Sequence, residues 1–368
     1  MNRGMLIEVH IADTHFAAFD PKKQYDILNE QFLIPISRLP VIDIISVNGD
    51  LFDHKVMANS EGAMYASLFV DQLVNLAIQK GATLVLLHGT YSHDANQLKL
   101  FYHYLNNPYV DIRIVTNIQF EIIKGAKILC IPELYGLDEK VYRQFLFGSG
   151  LYDSVFMHGT IKGAVPKDEV GNGRLFTIDD FINCSGPIIA GHVHTPGCFN
   201  GYFYYCGCPY RWRFGEEQDK GFILLVHDLD SGYHYVDFNK IESFRYDTIF
   251  IDQLVNNDPK SVIDYINDLK QSRGIDFIKV RFRTPVSGAN KTVISNYFRN
   301  NSDTIIEFLD VQEEQKIKME NEIRNSEYDF ITNDKYSDLE KFVMYVNHEE
   351  NDQFITVDQL KALLEEEI

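Results

Sequence analysis

A chain of 368 residues, 45 % apolar and 24 % charged, has room for one large domain and a smaller one, each with a core. Its formal charge of −19 speaks against a free-standing nucleic-acid binder that works through a basic surface, and no apolar run is long enough for a membrane-spanning helix. Met1 to His10 lacks a secretory pattern and the five cysteines are an odd number, so the expected setting is cytoplasmic and reducing, with free thiols and no membrane.

Short β-rich apolar runs alternate with longer amphipathic segments. Strands are expected at Leu6–Ile11, Ile42–Val47, Thr83–His88, Ile112–Val115, Ile128–Ile131, Ser154–Met157, Pro187–Ala190, Tyr202–Cys206 and Phe222–Val226. Helical spacing falls at about Tyr25–Arg38, Glu61–Gln79, Asn96–Leu105 and Glu139–Phe147. This alternation is that of an α/β fold, and the closely spaced strands after Gly186 add antiparallel members. A two-layer β-sandwich flanked by helices fits the order, and residues 1–240 are read as one domain.

Residues 241–312 restart the rhythm as a small α/β unit. A strand at Phe244–Asp252 precedes a helix opened by Asp258-Pro259 and stopped at Gly274. Phe277–Phe282 is then a strand, Lys291–Phe298 a helix and Thr304–Val311 a strand. Residues 313–368 carry 16 acidic and 6 basic side chains, which is −10 of the −19. They read as an acidic linker, Glu313–Asn325, and two short amphipathic helices at about Ser337–Val346 and Thr356–Glu366.

Polar motifs stand at the strand ends. Asp13-Thr14-His15 follows the first strand, and Gly49-Asp50-Leu51-Phe52-Asp53 closes the second. Gly89-Thr90-Tyr91-Ser92-His93-Asp94 closes the third, His158-Gly159 a later one, and Gly191-His192-Val193-His194 another. Each alone is compatible with a turn or a structural histidine. Together they place carboxylates and imidazoles where open α/β sheets gather functional groups, at the carboxyl ends of strands. That mixture suits Mn²⁺, Fe²⁺ or Zn²⁺ better than Mg²⁺. Cys198, Cys206 and Cys208 lack the paired spacing of a zinc knuckle and read as small packed residues.

The motif order resembles the calcineurin-like metallophosphoesterase superfamily over about residues 5–227. By position, the resemblance implies one metal held by Asp13, His15, Asp50 and His194, and a second by Asp50, Ser92, His158 and His192. The resemblance further implies that Asp50 bridges and that a hydroxide shared by two divalent cations, Mn²⁺ being the expected ion, is the nucleophile. His93 is then the group that bonds the phosphate or protonates the leaving oxygen, with the Asp53 carboxylate orienting it. The family writes Gly-Asn-His at the third motif, where the asparagine amide ligates the second metal. Here Ser92 precedes the histidine, which implies a weakened second site.

Gly207-Cys208-Pro209-Tyr210-Arg211, with Phe214 and Glu216 or Glu217 beyond, resembles a segment of the SbcD-type DNA nucleases within that superfamily. That likeness implies a manganese-dependent 3′→5′ exonuclease and single-strand endonuclease acting in DNA end processing, recombination and repair. It further implies a capping domain at 241–312 and a tail that docks on an SbcC-type coiled-coil, SMC-like ATPase, as a homodimer within a heterotetramer. Tyr91, Tyr210, Arg211 and Arg213, with Trp212, are candidates for stacking on bases and holding phosphates. The loop Ile161–Leu175, with Lys162, Lys167 and Arg174, is a further candidate for substrate contact, set against a solvated loop. Two alternatives stand beside the nuclease. One is a phosphomonoesterase or cyclic-nucleotide phosphodiesterase on the same metals, favoured by the acidic charge. The other is a non-catalytic scaffold, favoured by Ser92.

Overall fold

The structure is a computed structural model that describes residues 4–164, 174–216, 218–251, 258–283, 286–301 and 303–308. The acidic linker and the two helices expected between 313 and 368 lie outside the described residues. The chain divides into two compact units, Met1–Tyr246 and Asp247–Ile368.

The first unit holds fourteen strands among its described residues. They are β1 (Met5–Ile11), β2 (Ile44–Asn48), β3 (Thr83–Leu87), β4 (Asp111–Val115), β5 (Gln119–Ile123), β6 (Ala126–Ile131) and β7 (Ser154–His158), then β8 (Thr160–Ile161), β9 (Leu175–Phe176), β10 (Ile188–Gly191), β11 (Gly197–Phe199), β12 (Phe203–Tyr205), β13 (Lys220–Asp228) and β14 (His234–Ile241). Two six-stranded sheets result, in the orders β14-β13-β1-β2-β3-β4 and β11-β12-β10-β7-β6-β5. Within the first, β1, β2, β3 and β4 run parallel; within the second, β6, β7, β10 and β12 do. Parallel strands covered on both faces read as continuous apolar runs, and every residue of β2 and β3 is buried.

Leu6, Ile44, Val85, Leu87, Ile223 and Leu225 of the first sheet meet Ile128, Cys130, Phe156 and Ile189 of the second in a shared core. Burying a side chain such as Phe156 stabilises the sandwich by on the order of 2–3 kcal/mol. A second core covers the outer face of the second sheet, where Leu129, Val155 and Ile188 pack with Tyr142 and Leu146. Those last two lie on the helix Glu139–Phe147. The mixed α/β sandwich with flanking helices is therefore the observed architecture.

The helices of this unit are α1 (Pro21–Leu28), α2 (Ile34–Ser37), α3 (Glu61–Lys80), α4 (Tyr91–Asp94) and α5 (Glu139–Phe147). Sequence spacing explains α3 most directly. The Ser60 side chain accepts from Ala63 N, Gly81 ends the helix at φ 64°, and Ala66, Phe69, Val70, Leu73, Val74 and Ala77 form one buried stripe. The helix expected over Tyr25–Arg38 is broken instead. It starts at Pro21 behind an Asp20 cap and passes through a π-helical stretch, Asn29–Leu33, before α2. Pro35 carries no N–H to continue an α-helical ladder, and the widened turn just before it absorbs the mismatch. Gln97–Asn106 winds as a 3₁₀ helix, with its buried Leu98 and Phe101 three residues apart on one eclipsed row.

The second unit orders β15 (Tyr246–Ile251), α6 (Pro259–Arg273), β16 (Phe277–Phe282), α7 (Gly288–Phe298) and β17 (Thr304–Phe308). Its sheet runs β15-β16-β17, with β16 and β17 parallel. Asp258 caps α6 by accepting from Lys260 N and Ser261 N, Pro259 opens the helix, and Gly274 at φ 60° closes it. Val262, Ile263 and Ile266 of α6 and Ile294 of α7 pack onto Ile278, Val280 and Phe282, giving the unit a core of its own.

Candidate metal centre

Six parallel strands, three from each sheet, send their carboxyl-terminal loops to one end of the sandwich. The loops after β1, β2 and β3 deliver Asp13, His15, Asp50 and His93; β7 and the loop after β10 deliver His158, His192 and His194. Three overlapping groups result: Asp13–His15–His194, His15–Asp50–His93 and Asp50–His158–His192, each with its ligand atoms within 4.8 Å of one another. Asp50 belongs to two of them. No cysteine belongs to any such group among the described residues.

Backbone bonds lock these loops together. Asp13 N donates to Gly49 O at 3.1 Å, and His15 N to Asp50 O at 2.9 Å. The buried Asp94 carboxylate accepts from Asp50 N, Phe52 N and Gly89 N, binding the second loop to the third. Asp13, His15, Asp50 and His192 all adopt left-handed φ, at 52°, 43°, 50° and 88°. Non-glycine residues held there cost of order 1–3 kcal/mol each, and such strain clusters at ligand-binding sites. Gly49, at φ 88°, lies so close to His158 that a Cβ would fall on its imidazole. Gly49→Ala is therefore expected to destabilise the first unit by about 1–2 kcal/mol from the left-handed φ and by about 1–3 kcal/mol from displacing His158. A drop in the urea midpoint at unchanged slope checks this.

Facing imidazoles and buried carboxylates crowd together at the site. His15 Nε2 faces His194 Nε2 at 3.0 Å, and His158 Nε2 lies 3.2 Å from Asp50 Oδ2. Burial, with the Asp50 charge beside it, pushes the Asp13 carboxyl up to about 8. Burial also pulls the His194 imidazole down to about 4, while Asp50 outweighs burial at His158 and pushes it up to about 10. Buried carboxylates and facing imidazoles are a donor set able to hold a metal ion. A cation at Asp13 must displace that carboxyl's proton below pH 8. Manganese affinity is therefore expected to fall as pH drops from 8 to 6, by about tenfold per unit for each proton displaced. Calorimetric titration of Mn²⁺ at several pH values measures it.

Three sequence expectations are corrected by position. Ser92 is exposed on α4 and is away from the cluster; Thr90, directly after Gly89, lies inside it instead. Asp53 orients His93 through its backbone carbonyl, which bonds His93 Nδ1, and not through its carboxylate. That carboxylate pairs with His54 Nδ1 at 2.9 Å and approaches His15 Nδ1 at 3.8 Å. Tyr210 is fully buried, its hydroxyl donating to Gln24 O and its ring packed on Phe19 and Phe244, so it offers no face to a base.

Trp212 packs on His15 and His194, with ring centroids 4.6 and 5.1 Å away, and so covers the imidazoles. Glu216 accepts from Trp212 N and pairs with the buried Lys220 at 2.9 Å, and Lys220 donates to His194 O. The segment after Gly207 thus braces the last histidine loop. Arg211 is half-buried and Arg213 is exposed beside Glu216. Arg174 is engaged by Glu139 and Asp180, while residues 165–173 lie outside the described residues. Tyr91 is 57 % exposed and lines a cavity of about 560 Å³ with His88, Tyr102, Tyr135 and Glu133.

Glu133 went unread in the sequence. It stands two residues beyond β6, in Ile131-Pro132-Glu133, and is buried. Its Oε2 lies 3.3 Å from His192 Nδ1 and 3.9 Å from His158 Nε2, and it accepts the Thr90 hydroxyl at 2.8 Å. Burial works to raise its carboxyl, but His192 and His158 outweigh that and hold it down at about 2. The available signal was a carboxylate at another strand end, isolated from any histidine in sequence.

No protein-family model matches the chain, and no curated protein matches it. One solved crystal structure aligns with 65 % of this chain and 100 % of its own, at 13 % identity and a TM-score of 0.38. So slight an overlap carries no weight for fold or function. Among the described residues no helix is long and apolar enough to cross a membrane.

Proposed function

We propose that the chain is a two-metal phosphodiesterase acting on DNA, a nuclease of the SbcD type within the calcineurin-like metallophosphoesterases. The observation that carries this reading is the pair of cation-binding groups sharing Asp50. Asp13, His15, Asp50 and His194 would hold one divalent cation, and Asp50, His158 and His192 the other. Two such cations supply an activated water at neutral pH and neutralise charge on the phosphoryl oxygens. Asp50 would be the ligand common to both. The bond from His93 Nδ1 to the Asp53 carbonyl leaves Nε2 to bond a phosphoryl oxygen or to hand a proton to the leaving oxygen. The left-handed backbone at Asp13, His15, Asp50 and His192 preorganises the ligands before any substrate arrives.

DNA is favoured over a small phosphoester by the α/β unit after Tyr246, which small-substrate chemistry does not require. The −19 charge favours the rival phosphomonoesterase reading. Assays with Mn²⁺ on linear duplex DNA, short single strands, a chromogenic phosphodiester and a phosphomonoester separate them. Cleavage of the monoester alone would sink the nuclease reading, and cleavage of any substrate would sink the scaffold reading. The acidic residues 313–368 are proposed to dock on a coiled-coil ATPase, as a homodimer within a heterotetramer, making that association salt-sensitive. Truncation after Gln312 is expected to keep Mn²⁺-dependent cleavage of short single strands and to lose capture of the ATPase in a pull-down.

A further inference from the structure

We infer that Glu133 is the oxygen ligand of the second cation, reaching from the opposite sheet into the place that a threonine at position 90 leaves short. This rests on the two-metal reading above and deepens it. Thr90 occupies the cluster: its Oγ1 lies 3.2 Å from Asp50 Oδ2 and 3.4 Å from His158 Nε2. A hydroxyl carried directly on Cβ is neutral and short, and the threonine here donates a hydrogen bond to Glu133 Oε2. In the metallophosphoesterase pattern this loop supplies an asparagine amide.

Glu133 has the position, the orientation and the charge to replace that amide. It is 6 % exposed. Its Oε1 is fixed by the Tyr135 hydroxyl at 3.0 Å, which turns Oε2 toward the cluster. There Oε2 lies within 4 Å of one ring nitrogen on each of the two histidines of the second group, His158 and His192. The set Asp50, Glu133, His158 and His192 carries two negative charges and two neutral imidazoles. Because Asp50 is shared with the first site, the two sites together set three carboxylates, Asp13, Asp50 and Glu133, against two divalent cations, and an amide in place of Glu133 would leave only two. An anionic oxygen also strengthens a hard cation such as Mn²⁺ relative to a site completed by a neutral donor. The second site is then intact, and the missing asparagine marks a change of ligand, not a loss of metal.

Glu133→Gln tests this, because it keeps the shape and the Tyr135 contact while removing the charge. The full chain, stripped of metal, is titrated with Mn²⁺ and followed by the electron paramagnetic resonance signal of free Mn²⁺. Wild type is expected to take up two ions. Glu133→Gln is expected to take up one at wild-type affinity and the second about 100-fold or more weakly. Ser92→Ala, exposed and away from the cluster, is expected to match wild type. Thr90→Asp added to Glu133→Gln returns a carboxylate to the site from the other loop and is expected to recover the second ion, with unchanged circular dichroism. Two wild-type affinities in Glu133→Gln, or a loss that Thr90→Asp does not repair, would overturn the assignment of Glu133. A wild-type chain that binds no Mn²⁺ overturns the two-metal reading itself, so the two failures are distinguishable.

Discussion

Asp50→Asn is expected to leave a folded chain that cleaves phosphodiesters on the order of 10³-fold more slowly or worse. Asparagine tolerates the left-handed backbone at φ 50° and can still accept from Thr90 N, now 2.6 Å from Asp50 Oδ1, so the loops should hold. What disappears is the negative charge common to two of the cation-binding groups, and with it the Coulombic partner of His158 at 3.2 Å. Each 1.4 kcal/mol of lost transition-state stabilisation is about tenfold in rate, and two cations whose shared ligand is gone forfeit several such steps. Manganese titration should show both sites weakened, and the urea midpoint should fall, since removing Asp50's charge leaves the buried His158 without the partner that offsets its burial. Wild-type cleavage by Asp50→Asn would remove the site from the chemistry altogether.

His93→Ala is expected to separate chemistry from metal binding. His93 is half-buried, as His192 and His194 are, its ring stands edge-on to His15 at 4.8 Å, and its Nδ1 is committed to the Asp53 carbonyl. If it serves the phosphate, the variant keeps two Mn²⁺ ions at wild-type affinity while its rate falls about 10²–10⁴-fold. The loss should shrink for a substrate whose leaving group needs no proton, such as a nitrophenyl diester, and stay large for DNA. Loss of one Mn²⁺ instead would make His93 a ligand, in line with its place beside His15 and Asp50. Because Asp53 acts on His93 through its backbone, Asp53→Asn should leave the orientation of that ring intact and affect His15 more than His93.

The sequence was most informative where function sits next to a regular element. Asp13, Asp50, His158, His192 and His194 each follow a strand whose apolar run is legible by itself, so their arrival at one end of the sheets could be read locally. The same holds for Asp258-Pro259 and Gly274, whose cap chemistry fixes both ends of α6 without any tertiary partner.

What the chain by itself determined is thus the kind of donor at each strand end and the strand–helix order that carries it, because both depend on residues a few positions apart. Packing decided the rest. Ser92 and Thr90 are two residues apart in one loop, and only the turn of α4 decides which faces Asp50. Tyr210 looks like a free aromatic until Phe19 and Phe244 close around it. Glu133 and His192 are 59 positions apart, and Glu133 and Thr90 are 43 apart on different sheets. Their meeting within 3.3 Å and 2.8 Å is set by how two sheets press a shared apolar core between them, a distance that no local pattern encodes.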